Sequence, residues 1–381
     1  MDWNKIDLPQ LPSPCYVIDC DRLKCDLGIM KWHCDSVGLK PLIAIKGFPL
    51  AVLFSEMAPY VHGISASSLF EAQLGKHMGK EVHIHSPAYR PDEIMEVLKC
   101  CDHVVFNSFS QFDMYRDAIK SFAKRPSIGI RINPGHSEVT VEKYNPCLPY
   151  SRFGVTQEIL LHQDLTDIEG FHLHVMCDHD AEPFAQAINN LVSKFKPLLP
   201  QLSWINFGGG QRLADEDYQV GLIQGPISQL TNEFGLEIYV EPCEAIVTGS
   251  GYLVSTVLDI VKNGKEIALL DTSALCHMPD VLEMPYRPDI DYPSNGDQGD
   301  YSYILAGISC LAGDIIGEYK FSSPIHVGDK IIFSEMGAYT FAKENYFNGI
   351  NHPSLVLYDQ QKGFNVIKKY RYEDYERKFW W

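Results

Sequence analysis

The sequence predicts an α/β protein: a closed (β/α)8 barrel followed by a C-terminal antiparallel β domain. Between residues 41 and 245, eight short apolar runs alternate with stretches of helical periodicity, as parallel strands and their crossover helices do. After about residue 250, strand-like runs follow one another across Gly, Asn, Asp and Pro, with few helical patterns between them. We expect the barrel over 36–250, and a β domain over 1–35 and 251–381 that includes an N-terminal strand and a C-terminal helix.

The barrel prediction depends on the number of apolar runs and on how each run ends. Eight parallel strands close a barrel of this kind, with the crossover helices on its outside. Each run ends in small or polar residues, and helix patterning is clearest at 91–100 and 112–123. The runs are PLIAIK (41–46), HGISAS (62–67), VHIHS (82–86), HVVFNS (103–108), SIGIRINPG (127–135), IEGFHLHV (168–175), SWINFGGG (203–210) and EIYVEPCE (237–244).

The region after the barrel contains six strand-like runs, and a charged aromatic segment at 370–381 predicts a helix that packs its rings on the β domain. The stretch 286–302 is the most loop-like part of the chain, and it is either an active-site flap or a surface insertion. The runs are LVSTVLDIV (253–261), KEIALLDT (265–272), YSYILAGIS (301–309), IIGEYKF (315–321), DKIIFSEM (329–336) and SLVLYD (354–359).

Composition and charge exclude several classes of function. The chain has 381 residues with 32 basic and 49 acidic side chains, and this net charge of −17 disfavours nucleic acid and favours a cationic small molecule. Its eleven cysteines include no CxxC pair, which is typical of reduced thiols in a cytosol. The apolar runs are too short to cross a bilayer, and the N-terminus shows no secretory signal. We therefore expect a cytoplasmic protein without membrane or nucleic-acid partners.

The carboxyl ends of barrel strands are where catalytic residues lie, so the strand ends supply the candidates. Lys46 closes an apolar run, where partial burial favours the neutral amine that attacks an aldehyde. Taken alone, a lysine at this position more often leaves the barrel mouth for solvent, since desolvated catalytic lysines are a minority. Gly208, Gly209 and Gly210 follow a strand and precede a helical stretch, where glycines let backbone N–H groups close on a phosphate.

Two further strand ends offer a carboxylate and an imidazole. Glu241 follows the eighth run, and a carboxylate is the usual partner of a protonated pyridine nitrogen. His172 and His174 lie two apart and face one side of their strand, and His83 and His85 repeat the spacing. These pairs suit a metal or a flat cofactor, but no carboxylate joins them in the sequence, which disfavours a metal site. We interpret His83 and His172 as core histidines.

The β domain adds a thiol, a carboxylate and a phenol. Cys310 and Asp314 lie four apart in a glycine-flanked turn, where a thiol can donate a proton and a carboxylate can hold an amine. Tyr339 follows a strand-like run, where a phenol can reach a phosphate. A single cysteine in such a turn is otherwise a small buried hydrophobe.

Together these motifs resemble the fold-type III pyridoxal-phosphate decarboxylases, whose alanine-racemase-like barrel carries a C-terminal β domain. The resemblance covers essentially the whole chain, and within that group it is greatest to the carboxynorspermidine/carboxyspermidine decarboxylases. The motifs are AIKGF (44–48), FNSFSQ (106–111), SRFGV (151–155), GFHLHVMCD (170–178), INFGGG (205–210), EPCEA (241–245), DIVKNG (259–264), HMPDVLEMPYRP (277–288), SCLAGD (309–314), GAYT (337–340) and YFNGI (346–350).

The resemblance implies a role for each candidate around pyridoxal 5'-phosphate. Lys46 is the lysine that binds the cofactor aldehyde, His174 stacks on the ring, and Glu241 holds the ring nitrogen. The phosphate belongs to Gly208, Gly209, Gly210 and Tyr339. Cys310 protonates the product carbon, reaching the site from the second subunit of a head-to-tail homodimer.

The charges of a polyamine substrate need carboxylates, for which Glu244, Asp280 and Asp314 are the candidates. Glu244 stands where ornithine and diaminopimelate decarboxylases have an arginine, which argues against those substrates. Cys243 replaces a family glycine. The choice between carboxynorspermidine and carboxyspermidine stays open, because they differ by one methylene.

Three other interpretations remain. One is another basic amino acid decarboxylase of the same fold, acting on diaminopimelate, ornithine or arginine. A second is a metal-dependent barrel hydrolase built on the histidine pairs, and a third is a noncatalytic pyridoxal-phosphate carrier. A carrier has no use for Cys310, Asp314 or a β domain, and racemase activity is disfavoured because SCLAGD resembles the decarboxylases.

Overall fold

The computed structural model describes residues 1–293 and 299–380, so part of the stretch 286–302, expected to be either an active-site flap or a surface insertion, lies outside the described residues. Within this part of the chain the strands are β1 (Cys15–Asp19), β2 (Leu39–Ala44), β3 (Gly63–Ala66), β4 (Glu81–His85), β5 (His103–Phe106), β6 (Ser127–Asn133), β7 (Val155–Thr156), β8 (Gly170–His172), β9 (Trp204–Asn206), β10 (Glu237–Val240), β11 (Gly251–Asn263), β12 (Lys265–Leu270), β13 (Ile290–Tyr292), β14 (Tyr301–Ala306), β15 (Ile315–Phe321), β16 (Lys330–Phe333), β17 (Ser354–Asp359) and β18 (Gly363–Lys368).

The helices alternate with strands as far as residue 247 and become sparse after it. Each long helix of the first part follows a strand, as the apolar periodicity predicts. The α-helices of the described residues are α1 (Cys20–Val37), α2 (Phe54–Met57), α3 (Leu69–Gly75), α4 (Ile94–Cys100), α5 (Phe109–Lys120), α6 (Gln157–Leu160), α7 (Ala181–Phe195), α8 (Gly221–Phe234), α9 (Glu244–Val247), α10 (Ala274–His277), α11 (Asp280–Glu283) and α12 (Tyr372–Phe379).

The chain forms two compact units, residues 24–246 and residues 1–23 with 247–381. In the first unit, β2, β3, β4, β5, β6, β8, β9 and β10 pair in parallel, and the pairing of β10 with β2 closes the ring. Each of the eight predicted runs overlaps one of these strands, so the predicted (β/α)8 barrel is confirmed. β7 is an extra strand that pairs with β6 outside the ring.

The barrel interior is filled by side chains from opposite walls, with Trp204 as its largest member. A Cβ on Gly129 or Gly170 would lie 2.4 or 2.1 Å from the Trp204 ring, so these strand glycines make room for the indole. The Trp204 indole N–H donates to Ser127 Oγ at 2.8 Å, which satisfies its one polar group. The buried cluster comprises Leu42, Val105, Trp204 and Tyr239.

The second unit is a β domain whose sheet has the order β15-β14-β12-β11-β1-β17-β18, with β16 pairing β11 and β13. Each of the six predicted runs overlaps a strand, and α12 forms where the C-terminal helix is expected. The sheet is mixed rather than purely antiparallel, because β1 pairs with β17 and β12 with β14 in parallel. The segment between β12 and β14 contains α10 and α11, a connection long enough to return a parallel strand. No helix of the described residues is long and apolar enough to span a bilayer.

Candidate active site

Four of the predicted site residues lie just beyond the carboxyl ends of barrel strands. Lys46 lies in the turn two residues after β2, and Glu241 directly follows β10. His174 and Gly208 each come two residues after the end of a strand, β8 and β9. The Lys46 ammonium is near enough to help lower the pKa of both Glu241 and His174. The barrel therefore brings the amine, the carboxylate and the imidazole to one place.

Glu241 is a buried carboxylate, 5% exposed, that is held in its ionised form. Asn206 Nδ2 donates to its Oε1 at 2.8 Å, and the Ser65 hydroxyl also hydrogen-bonds to the carboxylate. Burial by itself raises the pKa of Glu241, but the nearby His172 and Lys46 and these hydrogen bonds together bring it below its usual value. The side chain therefore offers a fixed negative charge inside the barrel mouth.

Three histidine rings form a parallel row beside Glu241. The His172 ring lies 5.1 Å from that of His85 and 6.3 Å from that of His174, with interplanar angles of 10° and 11°. His172 was expected to be a satisfied core histidine, but its Nδ1 has no hydrogen-bond partner and lies 3.7 Å from Glu241 Oε1. Burial lowers the pKa of His172 to about 4 and that of His174 well below its usual value, so both rings are neutral at pH 7.

Buried neutral histidines make the fold acid-sensitive, and this predicts a pH dependence of stability. Burial lowers the pKa values of His172 and His277 to about 4, against roughly 6.5 in an unfolded chain. Below pH 6.5 the unfolded chain therefore binds protons that these folded side chains do not, and the free energy of unfolding falls until pH 4. Each histidine contributes up to about 3 kcal/mol of this loss.

Urea unfolding of the cofactor-depleted protein at pH 7 and pH 5 measures this effect. We expect His172→Asn to lose less stability between the two pH values than the unchanged protein does. The matched control is His162→Asn, because His162 is exposed. An equal loss in His172→Asn and in the unchanged protein would contradict the burial of a neutral ring at this position.

The glycine run approaches its neighbours so closely that no side chain fits. A Cβ on Gly208 would lie 2.4 Å from His174 Nδ1, and one on Gly209 would lie 2.5 Å from the Glu241 carbonyl oxygen. Gly208 and Gly210 have φ values of +65° and +98°, which favour glycine. The Gly209 N–H points at His174 Nδ1, 3.4 Å away. The loop is thus a backbone-lined surface beside the histidine row.

Arg131 on β6 belongs to the same region and was missed in the sequence. Its guanidinium is buried, lies 4.2 Å from the centre of the Phe153 ring, and has one nitrogen 3.5 Å from His85 Nδ1. Burial lowers the pKa of Arg131 to about 10, while the charge of Glu241 opposes that change. The available signal was a lone arginine in the apolar run SIGIRIN at 127–133.

A carboxylate does join the His172–His174 pair, and another joins His83 with His103 rather than with His85, so the sequence argument against a metal was wrong for the first pair. Ligand atoms of Glu81, His83 and His103 lie within 4.8 Å of one another, and so do those of His172, His174 and Glu241. The His83 and His103 rings, however, are stacked 3.9 Å apart with 8° between their planes. The lone pairs of two face-to-face imidazoles run side by side, so they do not converge on one ion.

The other candidates lie in the second unit. Cys310 is exposed in the turn between β14 and β15, where its N–H donates to Asn348 Oδ1 at 2.7 Å. Asp314 is only 3% exposed and accepts hydrogen bonds from the Ser273 hydroxyl and the Ser309 N–H. These bonds fix the turn that presents Cys310. The role of Asp314 toward an amine of the substrate stays a prediction.

Asp280 and Tyr339 also lie in the second unit. Asp280 begins α11 and forms an ion pair with Lys343, which binds Glu283 as well. Tyr339 is half-buried and has a left-handed backbone, with a φ of +55°. Such a conformation is rare for an aromatic residue. The predicted contacts of these two residues with substrate and phosphate remain predictions.

Glu244 and Cys243 follow Glu241 at the barrel mouth. Glu244 is exposed at the start of α9, and its charge helps to raise the pKa of the Cys177 thiol, which burial raises most. Lys46 acts on the same thiol, so Glu244 and Lys46 lie in one neighbourhood. Cys243 is buried without a left-handed backbone, so the glycine that it replaces is not required for a positive φ.

Comparison with known proteins assigns this barrel to a family. Residues 15–337 match the family described as pyridoxal-dependent decarboxylase, C-terminal sheet domain. The chain belongs to the pyridoxal-dependent decarboxylases. It is 35% identical, over 96% of its length and 98% of the relative, to the carboxynorspermidine/carboxyspermidine decarboxylase of Campylobacter jejuni. It is 37% identical, over 97% of its length and 96% of the relative, to the carboxyaminopropylagmatine decarboxylase of Synechocystis sp..

Solved structures of decarboxylases show the same fold. The carboxynorspermidine decarboxylase of Campylobacter jejuni, in complex with norspermidine, superposes with a TM-score of 0.87 and 33% identity, covering 97% of this chain and 100% of that one. The diaminopimelate decarboxylase of Helicobacter pylori, in complex with L-lysine, superposes with a TM-score of 0.84 over 97% of both chains. Its identity is 21%, and this likeness shows the fold alone.

Pyridoxal phosphate is the cofactor of this decarboxylase, and the barrel residues fit it. The cofactor needs an amine, an anionic partner for its ring nitrogen and a phosphate cradle. Lys46, the ionised Glu241 and the glycine loop supply these three features at one end of the barrel. The buried Nδ1 of His172 has no hydrogen-bond partner, which marks a polar position left open beside Glu241.

Proposed function

We propose that this decarboxylase removes CO2 from a carboxylated polyamine, carboxynorspermidine or carboxyspermidine, to give norspermidine or spermidine. The observation that carries the proposal is the full-length likeness, at 33% identity, to a solved decarboxylase in complex with norspermidine. The acidic chain and the glutamate at position 244 support a polycationic substrate over an amino acid that an arginine would recognise.

In the proposed reaction, Lys46, His174 and Glu241 each have a distinct role. Lys46 binds the cofactor at its aldehyde carbon, and the neutral ring of His174 offers a flat face to the cofactor ring. Glu241 keeps the proton on the ring nitrogen, because its carboxylate is ionised and fixed by Asn206. When bound there, pyridoxal phosphate supplies a protonated ring that takes up the electron pair left by the departing CO2.

A proton must then reach the carbon that lost CO2. We assign this transfer to Cys310, a thiol exposed in its turn, with the Lys46 amine as the other available donor. One proton is taken up for each CO2 released, so the proton donor must be recharged from solvent. The exposure of Cys310 suits this requirement.

We also propose that two copies of the chain form the active enzyme, with Cys310 of one copy serving the barrel of the other. Its turn presents Ile308 and Leu311, two exposed apolar side chains beside the exposed thiol. Exposed apolar side chains around a functional group are typical of an interface.

Complementation tests the shared site. Lys46→Ala is expected to be nearly inactive, and Cys310→Ser to be strongly impaired with proton transfer left to the Lys46 amine, because each variant lacks one half of every site. Coexpressed with different tags, they should form mixed dimers that contain one intact site. Purification on both tags should recover about half of the activity of the unchanged enzyme. Inactive mixed dimers would contradict a Cys310 contribution from the second copy.

The positive charges of the substrate are assigned mainly to Glu244. Asp280 already binds Lys343, and Asp314 is buried in hydrogen bonds within its turn. Glu244 is exposed near Lys46, at the mouth through which the substrate enters. We therefore assign Glu244 to an amine of the polyamine, Asp280 to its ion pair with Lys343, and Asp314 to the turn that presents Cys310.

Charge reversal at Glu244 tests this assignment. Glu244→Arg is expected to lower kcat/KM for the carboxylated polyamine by about tenfold or more, since it sets like charges against each other. The dissociation constant for pyridoxal phosphate should change by less than about twofold. The matched control is Glu158→Arg, a reversal at another exposed glutamate, on α6. Equal weakening of substrate and cofactor would contradict a substrate role.

The proposed substrate is tested with the holoenzyme and a panel of amino acids. We expect CO2 release from carboxynorspermidine or carboxyspermidine with a kcat/KM at least about tenfold above that for diaminopimelate, ornithine or arginine. The identity to the Synechocystis relative makes carboxyaminopropylagmatine the second candidate, which ends in a guanidinium group. A higher kcat/KM for this compound would replace the first assignment, and absence of CO2 release from all carboxylated polyamines would overturn both.

We propose a cytoplasmic location for the enzyme. All eleven cysteines are free thiols in the structure, including the exposed Cys25, Cys177 and Cys310. Exposed thiols persist in a reducing compartment. Cell fractionation tests this location: the chain, followed by a tag without cysteines, should be found in the cytoplasmic fraction.

A further inference from the structure

The segment after His174 and the segment that contains the glycine run lie side by side. His179 and Gln211 form an isolated parallel bridge between them. The His179 N–H donates to the Gly210 carbonyl at 2.8 Å, and the Arg212 N–H donates to the His179 carbonyl at 3.0 Å. Two backbone hydrogen bonds therefore tie the end of the glycine run to the loop that leaves the stacking histidine.

A bidentate ion pair crosses the same junction. Arg212 Nε lies 2.6 Å from Asp178 Oδ1, and its Nη2 lies 2.9 Å from Asp178 Oδ2. Asp178 has a left-handed backbone with a φ of +55°, a conformation that costs energy for a residue with a Cβ. The fork of Arg212 fits both carboxylate oxygens, and this geometry holds Asp178 in that conformation.

The glycine run also touches this loop directly. A Cβ on Gly210 would lie 2.4 Å from the Met176 carbonyl oxygen and 2.7 Å from the Cys177 nitrogen. The Cys177 N–H donates to His179 Nδ1 at 3.1 Å, so the loop is braced at this contact. The position of Gly210 therefore depends on the positions of Met176 and Cys177. Those positions in turn depend on the residues that follow, such as His179.

We propose that Arg212 and Asp178 are positioning residues that clasp the glycine run to the loop of His174. The clasp sets the spacing between the phosphate cradle and the ring-stacking imidazole before the cofactor binds. Pyridoxal phosphate needs both at once, one for its phosphate and one for its ring, so a preset spacing lowers the cost of binding. Neither residue touches reacting atoms. The inference rests on the proposed function only in placing the cofactor phosphate at the glycine run.

The alternative is a plain surface ion pair, since Arg212 and Asp178 are 42% and 56% exposed. Such pairs contribute little to the free energy of unfolding and nothing to the affinity for a distant ligand. The two interpretations differ in what removal of the pair changes. A clasp alters cofactor affinity and local order, and a surface pair alters neither.

The experiment titrates pyridoxal phosphate into cofactor-depleted enzyme and measures its dissociation constant by the visible absorption of the bound cofactor. We expect Arg212→Ala and Asp178→Asn each to raise this constant about tenfold, and the double variant to be no worse than either single one. Asparagine tolerates the left-handed backbone, so Asp178→Asn removes the charge and keeps the backbone conformation. Arg212→Lys, which keeps the charge but loses the fork, should fall between Arg212→Ala and the unchanged enzyme.

Amide hydrogen exchange of the cofactor-depleted protein supplies a readout besides binding. Both variants should exchange faster at 208–212 and 176–180, with the barrel strands and the melting temperature nearly unchanged. The matched control is Arg90→Ala, which removes the exposed bidentate Arg90–Asp92 pair, with N–O distances of 3.1 and 2.7 Å, and should leave all readouts unchanged. Unchanged cofactor affinity in Arg212→Ala, or faster exchange throughout the barrel, would overturn the clasp. Failure of the unchanged enzyme to bind the cofactor would instead overturn the proposed function.

Discussion

Lys46→Ala is expected to lower kcat by about four orders of magnitude or more and to remove the visible absorption of bound cofactor. Alanine has no amine to bind the aldehyde carbon, whereas the glycine loop, His174 and Glu241 remain in place. Pyridoxal phosphate should still bind, more weakly and without a covalent bond. Steady-state kinetics and absorption spectra of the two proteins, loaded with equal amounts of cofactor, measure both effects.

The control for this substitution is Lys99→Ala, on the exposed end of α4. Lys99 forms a surface pair with Glu96 at 2.7 Å, and its loss should leave kcat and the spectrum unchanged. A Lys46→Ala variant that retains the cofactor absorption of the unchanged enzyme would show that another lysine binds the aldehyde.

Glu241→Gln is expected to produce the second large effect, a fall in kcat of about 100-fold or more. Glutamine has the shape of glutamate and can still accept the hydrogen bond from Asn206, so the site should stay folded. It carries no charge, and a neutral amide holds the proton on the ring nitrogen poorly. Without the fixed charge at position 241, the chemical step should therefore slow. Single-turnover kinetics with saturating cofactor measure that step.

Glu237→Gln is the matched control, because Glu237 begins the strand that Glu241 follows. It pairs with Lys40 at 2.6 Å on the surface, at the other end of β10. We expect this variant to retain kcat. The assigned role of Glu241 would be wrong if Glu241→Gln left the single-turnover rate unchanged. It would also be wrong if the affinity for the cofactor fell by the same factor as the rate.

Periodicity and the geometry of parallel barrels explain why much of the site could be predicted from sequence. The eight apolar runs place the strands, and the strand ends then point to Lys46, His174, the glycines and Glu241 without any knowledge of side-chain contacts. The parallel pairings in the β domain were not predicted, because they join β1 to β17 and β12 to β14 across long stretches of chain.

Contacts between strands distant in sequence explain what was missed. His172 was interpreted as a core histidine because nothing in GFHLHV shows that β10 brings a carboxylate to 3.7 Å from its ring. Arg131 was overlooked for the same reason. The ion pair of Asp178 and Arg212 joins two loops that are 34 residues apart. Such contacts depend on packing, which a single sequence does not report.

Asp314 shows how much residue type alone leaves open. A carboxylate in a glycine-flanked turn suggests a partner for an amine, but the structure commits this one to the Ser273 hydroxyl and the Ser309 N–H. A Cβ on Gly307 would lie 2.3 Å from Asp314 Oδ2, so the glycine is required for this arrangement. The carboxylate therefore shapes the turn that presents Cys310.

Peptide mapping of the purified holoenzyme after borohydride reduction tests most directly whether the cofactor is bonded to the barrel lysine. Reduction makes the bond between lysine and cofactor permanent, so mass spectrometry identifies the labelled residue. We expect the label on the peptide that contains Lys46 and on no other. A label on a different lysine, or an unlabelled protein that still releases CO2, would contradict the account.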